Sequence, residues 1–182
     1  EIFKETQLRY QTLKNRLKEM AFLNPGLEMV LIDKKENREE SFKFDGGIQE
    51  YVQYLNESKS PIHKDIVFIS GESEKVIIDV AFQYTDDYTE NIHSFVNNIS
   101  TVDGGTHLQG FKTALTRCIN DYSRREGILK EKDPNFIGED TAEGIVAIVS
   151  IKLPYRPEFE GQTKTKLGNP EVRGIVQSFV YD

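Results

Sequence analysis

Residues 160–169 read EGQTKTKLGN, and Gln162, Thr163, Lys164 and Lys166 follow one another there without an apolar residue until Leu167. An amide, a hydroxyl and two ammonium groups at this spacing suit an anion, above all a phosphate, since each ammonium carries three donors and a full charge. The competing reading is a solvated surface loop. A second candidate lies in the longest helical stretch, where Lys112, Arg117, Arg124 and Arg125 are opposed along the chain only by Asp121 and Glu126. That helix is either ordinary charged surface or a positive wall for DNA backbone, a contact that needs no base-specific chemistry.

Other chemistries find little support. His63, His93 and His107 are far apart, and the single cysteine, Cys118, falls on an apolar helical face, so no zinc-ligand spacing exists and no metal site is expected. Asp45-Gly46-Gly47 and Asp103-Gly104-Gly105 are turn-and-helix-start sequences, and neither continues as a G-x-x-x-x-G-K-[ST] phosphate loop. No G-x-S-x-G elbow is present. Asp86, Asp87 and Glu90 gather acid in what reads as a solvated turn.

The loop needs rigid supports, and the sequence supplies both. Residues 144–153 are almost continuously apolar and predict a buried strand. Pro154, Pro157 and Gly161 then force a loop. Asn169-Pro170-Glu171 predicts a helix start, with Asn169 as N-cap, and Val172, Ile175, Val176 and Phe179 form its apolar face. Upstream, Leu108, Phe111, Leu115, Cys118, Ile119 and Tyr122 line one face of the long helix, which Gly127 closes. Three strands precede it, at 66–70, 75–84 and 91–97, the first two paired antiparallel through a tight turn at 71–74. A short helix carries Ile48, Tyr51, Val52 and Leu55, and residues 130–140 read as a charged loop. At the start, residues 2–22 predict an amphipathic helix through Phe3, Tyr10, Leu13, Leu17 and Met20, ended by Asn24-Pro25-Gly26. Residues 27–33 and 40–45 follow as a hairpin, and Gly46-Gly47 marks a domain boundary. The expected class is α+β, with a four-stranded sheet covered by helices and a parallel crossover through the long helix.

Composition fits a cytoplasmic globule: of 182 residues 37% are hydrophobic and 29% charged, with no tryptophan. One cysteine excludes an internal disulfide and fits a reducing compartment. No run reaches bilayer-spanning length, so no membrane partner is expected. No signal peptide is visible, and Glu1 in place of methionine suggests a piece cut from something longer. A net charge of −7 argues against a general nucleic-acid binder, without excluding a local basic surface.

Residues 16–24 (RLKEMAFLN), 103–108 (DGGTHL), 110–117 (GFKTALTR) and 160–169 (EGQTKTKLGN), in this order and spacing, make the chain resemble the DNA gyrase B-subunit family over essentially its whole length. Residues 166–169 with Glu171-Val172-Arg173 resemble gyrase more than the ATPase subunit of topoisomerase IV, which stands as the alternative. A stand-alone module binding a phosphorylated or acidic partner is the rival from another class.

The resemblance implies that residues 1–45 end an ATP-binding domain and residues 46–182 form a transducer domain with a left-handed βαβ crossover, the opposite of the general rule. It implies that Lys164 is the catalytic contact to the γ-phosphate, with Gln162 assisting in nucleotide binding. It implies that Lys112 lines the cavity that receives transported DNA, and the basic helix adds Arg117 as a second expected DNA contact. The implied role is part of an ATP-hydrolysing type II topoisomerase that couples ATP to gate closure and DNA supercoiling. ATP and Mg2+ would be held mainly by sequence absent here, since no D-x-G-x-G motif occurs, so the chain alone is expected to be inactive. The implied partners are DNA, a second copy in a nucleotide-dependent homodimer, and the A protein of gyrase. Ala142 departs from the arginine usual in the family at that position, which puts a salt bridge at the foot of the strand in doubt.

Overall fold

The computed structural model describes residues 9–182. Phe3, and with it the first part of the helix expected over 2–22, lies outside the described residues. The remainder is α1 (Tyr10–Leu23).

The chain divides into two units, Glu1–Tyr51 and Val52–Asp182. In the first, β1 (Met29–Asp33) pairs antiparallel with β2 (Arg38–Phe42), the expected hairpin with its second strand begun earlier. Asp33 fixes the turn by accepting from the backbone of Lys35 and Glu36 and from the Arg38 guanidinium. That hydrogen bonding holds the Asp33 carboxyl below its ordinary range. Phe22, buried, stacks on Phe44 at 3.6 Å and on Tyr51 at 4.6 Å between ring centroids. α2 (Ile48–Leu55) runs from the first unit into the second.

The second unit is built on β3 (Val67–Ser73), β4 (Val76–Tyr84), β5 (Asn91–Val96), β6 (Ile99–Ser100) and β7 (Ile145–Lys152). These form a five-stranded sheet in the order β3-β4-β7-β5-β6, which corrects the expected four strands. The extra strand follows from Asn97 and Asn98, with φ of 49° and 63°, which close a two-residue hairpin between β5 and β6. Asparagine tolerates the left-handed region, and such turns match the twist of the flanking strands. β5 and β7 are parallel neighbours, joined through α3 (Thr106–Arg125), and the remaining pairs are antiparallel.

The apolar run of β7 is buried at every residue from Ile145 to Ile151. Its alternate residues Ile145, Ala147, Val149 and Ile151 share a core with Val76, Ile78 and Val80 of β4, with Phe111 and Leu115 of α3, and with Val172 and Val176 of α5 (Pro170–Tyr181). The two helices approach closely at Gly110, where a Cβ would lie 2.6 Å from the Arg173 carbonyl. Within the stretch expected to be a charged loop, α4 (Gly138–Ala142) forms one short turn. Its last residue, Ala142, is 7% exposed and belongs to the apolar core, so a methyl group fills the space in question and no charge needs a partner.

Candidate functional site

The polypeptide leaves β7 at Leu153 and enters α5 at Pro170, and the segment between is tied down at both ends. Asn97 clamps the exit: its side chain accepts from Leu153 N–H at 2.8 Å and donates to the Leu153 carbonyl at 3.3 Å. Leu167, fully buried, bridges to Phe159 on one side and to Gly105 on the other. Its N–H donates to the Gly104 carbonyl at 3.0 Å, and its carbonyl accepts from Thr106 N–H at 3.1 Å. Asp103-Gly104-Gly105 is therefore the seat of the loop. Asn169 occupies the N-cap position but does not cap α5 with its side chain, which corrects the expectation. It accepts instead from Glu158 N–H at 2.8 Å and donates to the Glu171 carboxylate at 3.0 Å, closing the base of the loop.

Above these anchors the tip is a narrow hairpin. Glu160 N–H donates to the Lys166 carbonyl, and the Lys166 ammonium donates to the Glu160 carboxylate, each at 2.9 Å. Gln162, Thr163 and Lys164 are exposed beyond this pair. Lys164 adopts φ of 57°, the left-handed region uncommon for a residue with a Cβ. The two lysines thus differ: Lys166 is neutralised by Glu160, and Lys164 has no ion-pair partner among the described residues.

Gln162 and Lys164 line an open cavity of about 270 Å³ between the loop and the β5–β6 turn. Arg156 and Asn97 line it as well, over an apolar floor that includes Ile99 and Phe159. Neither Arg156 nor Asn97 was singled out by the sequence. The available signals were a cation between Pro154 and Pro157, and the consecutive asparagines at 97 and 98.

The basic helix is less free than its sequence suggests. Lys112 pairs with Glu90, just before β5. Arg117 lies 3.6 Å from Asp121 and stacks its guanidinium 4.0 Å from the centre of the Tyr181 ring. Five residues apart on a helix is a rotation of about 140°, so the two cations face different ways. Arg124 is spent on structure, donating to the Lys130 and Asp133 carbonyls and to the Asn135 side chain. Arg125 pairs with Glu126 at 3.1 Å.

The histidines are not brought together. His63 donates through Nδ1 to the Asp65 carbonyl and accepts at Nε2 from Tyr84 N–H. His93 is in β5. His107 is fully buried at the start of α3, with Nε2 3.1 Å from the Thr101 hydroxyl, and burial pushes its imidazole down to about 4. Among the described residues no group of three His, Cys, Asp or Glu could hold a metal ion. Also among them, no helix is long and apolar enough to cross a membrane. Cys118 is half-buried, and burial raises its thiol above the ordinary range.

Solved structures of gyrase B proteins share this mixed α/β fold. The 43K ATPase domain of Thermus thermophilus gyrase B, crystallised with an aminocoumarin, matches with a TM-score of 0.84 and 38% identity, over 99% of this chain and 48% of that one. The B-subunit of the Myxococcus xanthus DNA gyrase matches with a TM-score of 0.86 and 25% identity, over 98% of this chain and 56% of that one. Residues 47–182 match the DNA gyrase B family, and the chain belongs to that family. The DNA gyrase B protein of Clostridium acetobutylicum is 52% identical over 181 residues, which are 99% of this chain and 28% of that protein. The chain thus spans under a third of that relative's length.

Proposed function

We propose that this chain is the part of a gyrase B protein that senses the γ-phosphate of ATP and passes that signal to the DNA gate. In this reading residues 1–45 end the ATP-binding domain, and residues 46–182 form the transducer, with a left-handed crossover from β5 through α3 to β7. The observation that carries it is the contrast within the loop: Lys164 stands exposed beside Gln162 with no acidic partner among the described residues, and Lys166 is already neutralised.

With no nucleotide present, the Lys164 ammonium is solvated and the transducer is free to move. A γ-phosphate gives it a charge-assisted partner, which ties the transducer to the ATP-binding domain, and hydrolysis ends that tie. The coupling works only because the contact exists in one state and not in the other. Adenine and Mg2+ fall to the rest of the ATP-binding domain, so the chain alone neither binds ATP tightly nor hydrolyses it. The whole protein, a cytoplasmic enzyme of DNA supercoiling, works with DNA, with a second copy of itself and with the A protein of gyrase. DNA phosphates compete for Lys112 and Arg117 against Glu90 and Asp121.

The test is ATP turnover of the full-length protein carrying Lys164→Ala. A drop of at least about 100-fold is expected, since the contact acts where negative charge develops. Unchanged turnover in a folded variant would refute the reading.

A further inference from the structure

The cavity beside the loop holds a second cation that the γ-phosphate reading does not use. Arg156 lines the same space of about 270 Å³ as Lys164 and Gln162, and it is exposed. Neither Arg156 nor Lys164 has an ion-pair partner among the described residues, in a chain whose net charge is −7. The cations of the basic helix and the other lysine of the loop are committed: Lys112 to Glu90, Arg117 to Asp121, Arg125 to Glu126, Lys166 to Glu160, and Arg124 to the loop after α3. Two uncommitted cations around one concavity mark a place for an anion bearing more than one charge. The volume lies below the ~300–1,000 Å³ of sites that enclose a whole small molecule, so the cavity suits the charged end of a ligand. Ile99 and Phe159 give it an apolar floor, which reduces screening of any charge held above it. Asn97, another lining residue, is held in place by its two bonds to Leu153.

We propose that Arg156 is a second phosphate ligand beside Lys164, and that it sharpens the preference for a nucleoside triphosphate over a diphosphate. This rests on the γ-phosphate reading of Lys164. A guanidinium offers paired donors to two oxygens of one phosphate, where the Lys164 ammonium acts as a point charge. The extra charge of a triphosphate therefore meets two protein charges, and a diphosphate that ends short of the loop meets neither.

The experiment uses the full-length protein carrying this segment, with a non-hydrolysable ATP analogue and ADP as calorimetric probes. Arg156→Gln is expected to weaken analogue binding about fivefold, and Arg156→Glu further, with ADP binding within about twofold of wild type in both. The difference between wild type and Arg156→Gln should shrink as salt is raised. Thermal melts of the variants matching wild type show that the segment folds, since ADP binding does not report on it. Analogue binding unaffected in Arg156→Glu, while Lys164→Ala still loses turnover, would overturn the role of Arg156 alone. Neither variant having an effect would overturn both readings. Equal losses for ADP and analogue would make Arg156 a general electrostatic contributor and overturn the discrimination.

Discussion

Gly105 and Leu167 lie so close that a Cβ on Gly105 would sit 2.4 Å from both the backbone N and the carbonyl oxygen of Leu167. Both opposing atoms are backbone, so no rotamer change relieves the clash. Gly105 also has φ of 131°, which a side chain rarely tolerates. Gly105→Ala should therefore unseat the loop, at a cost on the order of 1–3 kcal/mol of stability. In the full-length protein it should also lower ATP turnover, although Gly105 bears no functional group. Urea denaturation and steady-state ATPase rates check the two halves, and a variant with normal stability and turnover would show the seat to be unimportant.

The Lys112–Glu90 pair changes how the basic helix should be tested. Lys112→Glu would set two carboxylates together and confuse repulsion with lost DNA contact. Lys112→Gln should cost little stability, within about 1 kcal/mol for a pair on the surface. In the full-length protein it should weaken DNA stimulation of the ATPase, while Glu90→Gln, which releases the ammonium, should strengthen it. Opposite signs for the two variants support a DNA-facing Lys112, and the same sign in both would assign the pair to folding alone.

His107 makes stability depend on pH. Burial pushes its imidazole down to about 4 from the ordinary 6.5, so between these values the unfolded chain holds more protons than the folded one. Stability therefore rises with pH through that window and is lost as pH falls through it. At ~1.4 kcal/mol per pH unit the contribution is on the order of 3 kcal/mol. Denaturation midpoints measured from pH 7 to pH 4 should fall steeply for wild type. His107→Leu should be less stable at pH 7, having lost the bond to Thr101, but flatter below pH 6.5. Parallel curves would mean that another group dominates.

The supports of the loop were legible because their periods are unambiguous: the unbroken apolar run of β7, the Pro170 start of α5 and the apolar face of α3. The fifth strand was not, because β6 is only two residues long and rests on two asparagines whose left-handed conformation the hydrophobic pattern does not record. The Asn169-Pro170-Glu171 motif predicts a local cap, yet the Asn169 side chain bonds to Glu158 across the loop, a long-range choice invisible to a short motif. The ion pairing of the basic helix was hidden for a similar reason. Charges counted along one helix miss Glu90, which lies 22 residues before Lys112. Gly104-Gly105 looked like a generic turn because its requirement comes from Leu167, more than sixty positions on.

Lys164 offers the sharpest separation of stability from function. Its φ of 57° puts a Cβ in a conformation that costs roughly 1–2 kcal/mol for a side-chain-bearing residue. Glycine would relieve that strain, offset by the ~0.5–1 kcal/mol of extra backbone entropy it loses on folding. Lys164→Gly should therefore leave the chain as stable as wild type or about 0.5–1 kcal/mol more so. Lys164→Ala keeps the strain and should change stability by less than about 0.5 kcal/mol. Both variants remove the ammonium, so both should lower ATP turnover of the full-length protein by at least about 100-fold. ADP binding, which never reaches this loop, should stay near normal. Lys166→Ala is the informative control because its ammonium already faces Glu160, so its loss removes a surface pair worth at most ~1 kcal/mol. Turnover in Lys166→Ala should stay within about threefold of wild type, well under one decade at ~1.4 kcal/mol per decade. Thermal melts with single-turnover ATPase rates on the three variants decide the matter. Equal losses in Lys164→Ala and Lys166→Ala would mean a diffuse basic loop, and a destabilised Lys164→Gly would mean that the left-handed backbone carries no strain.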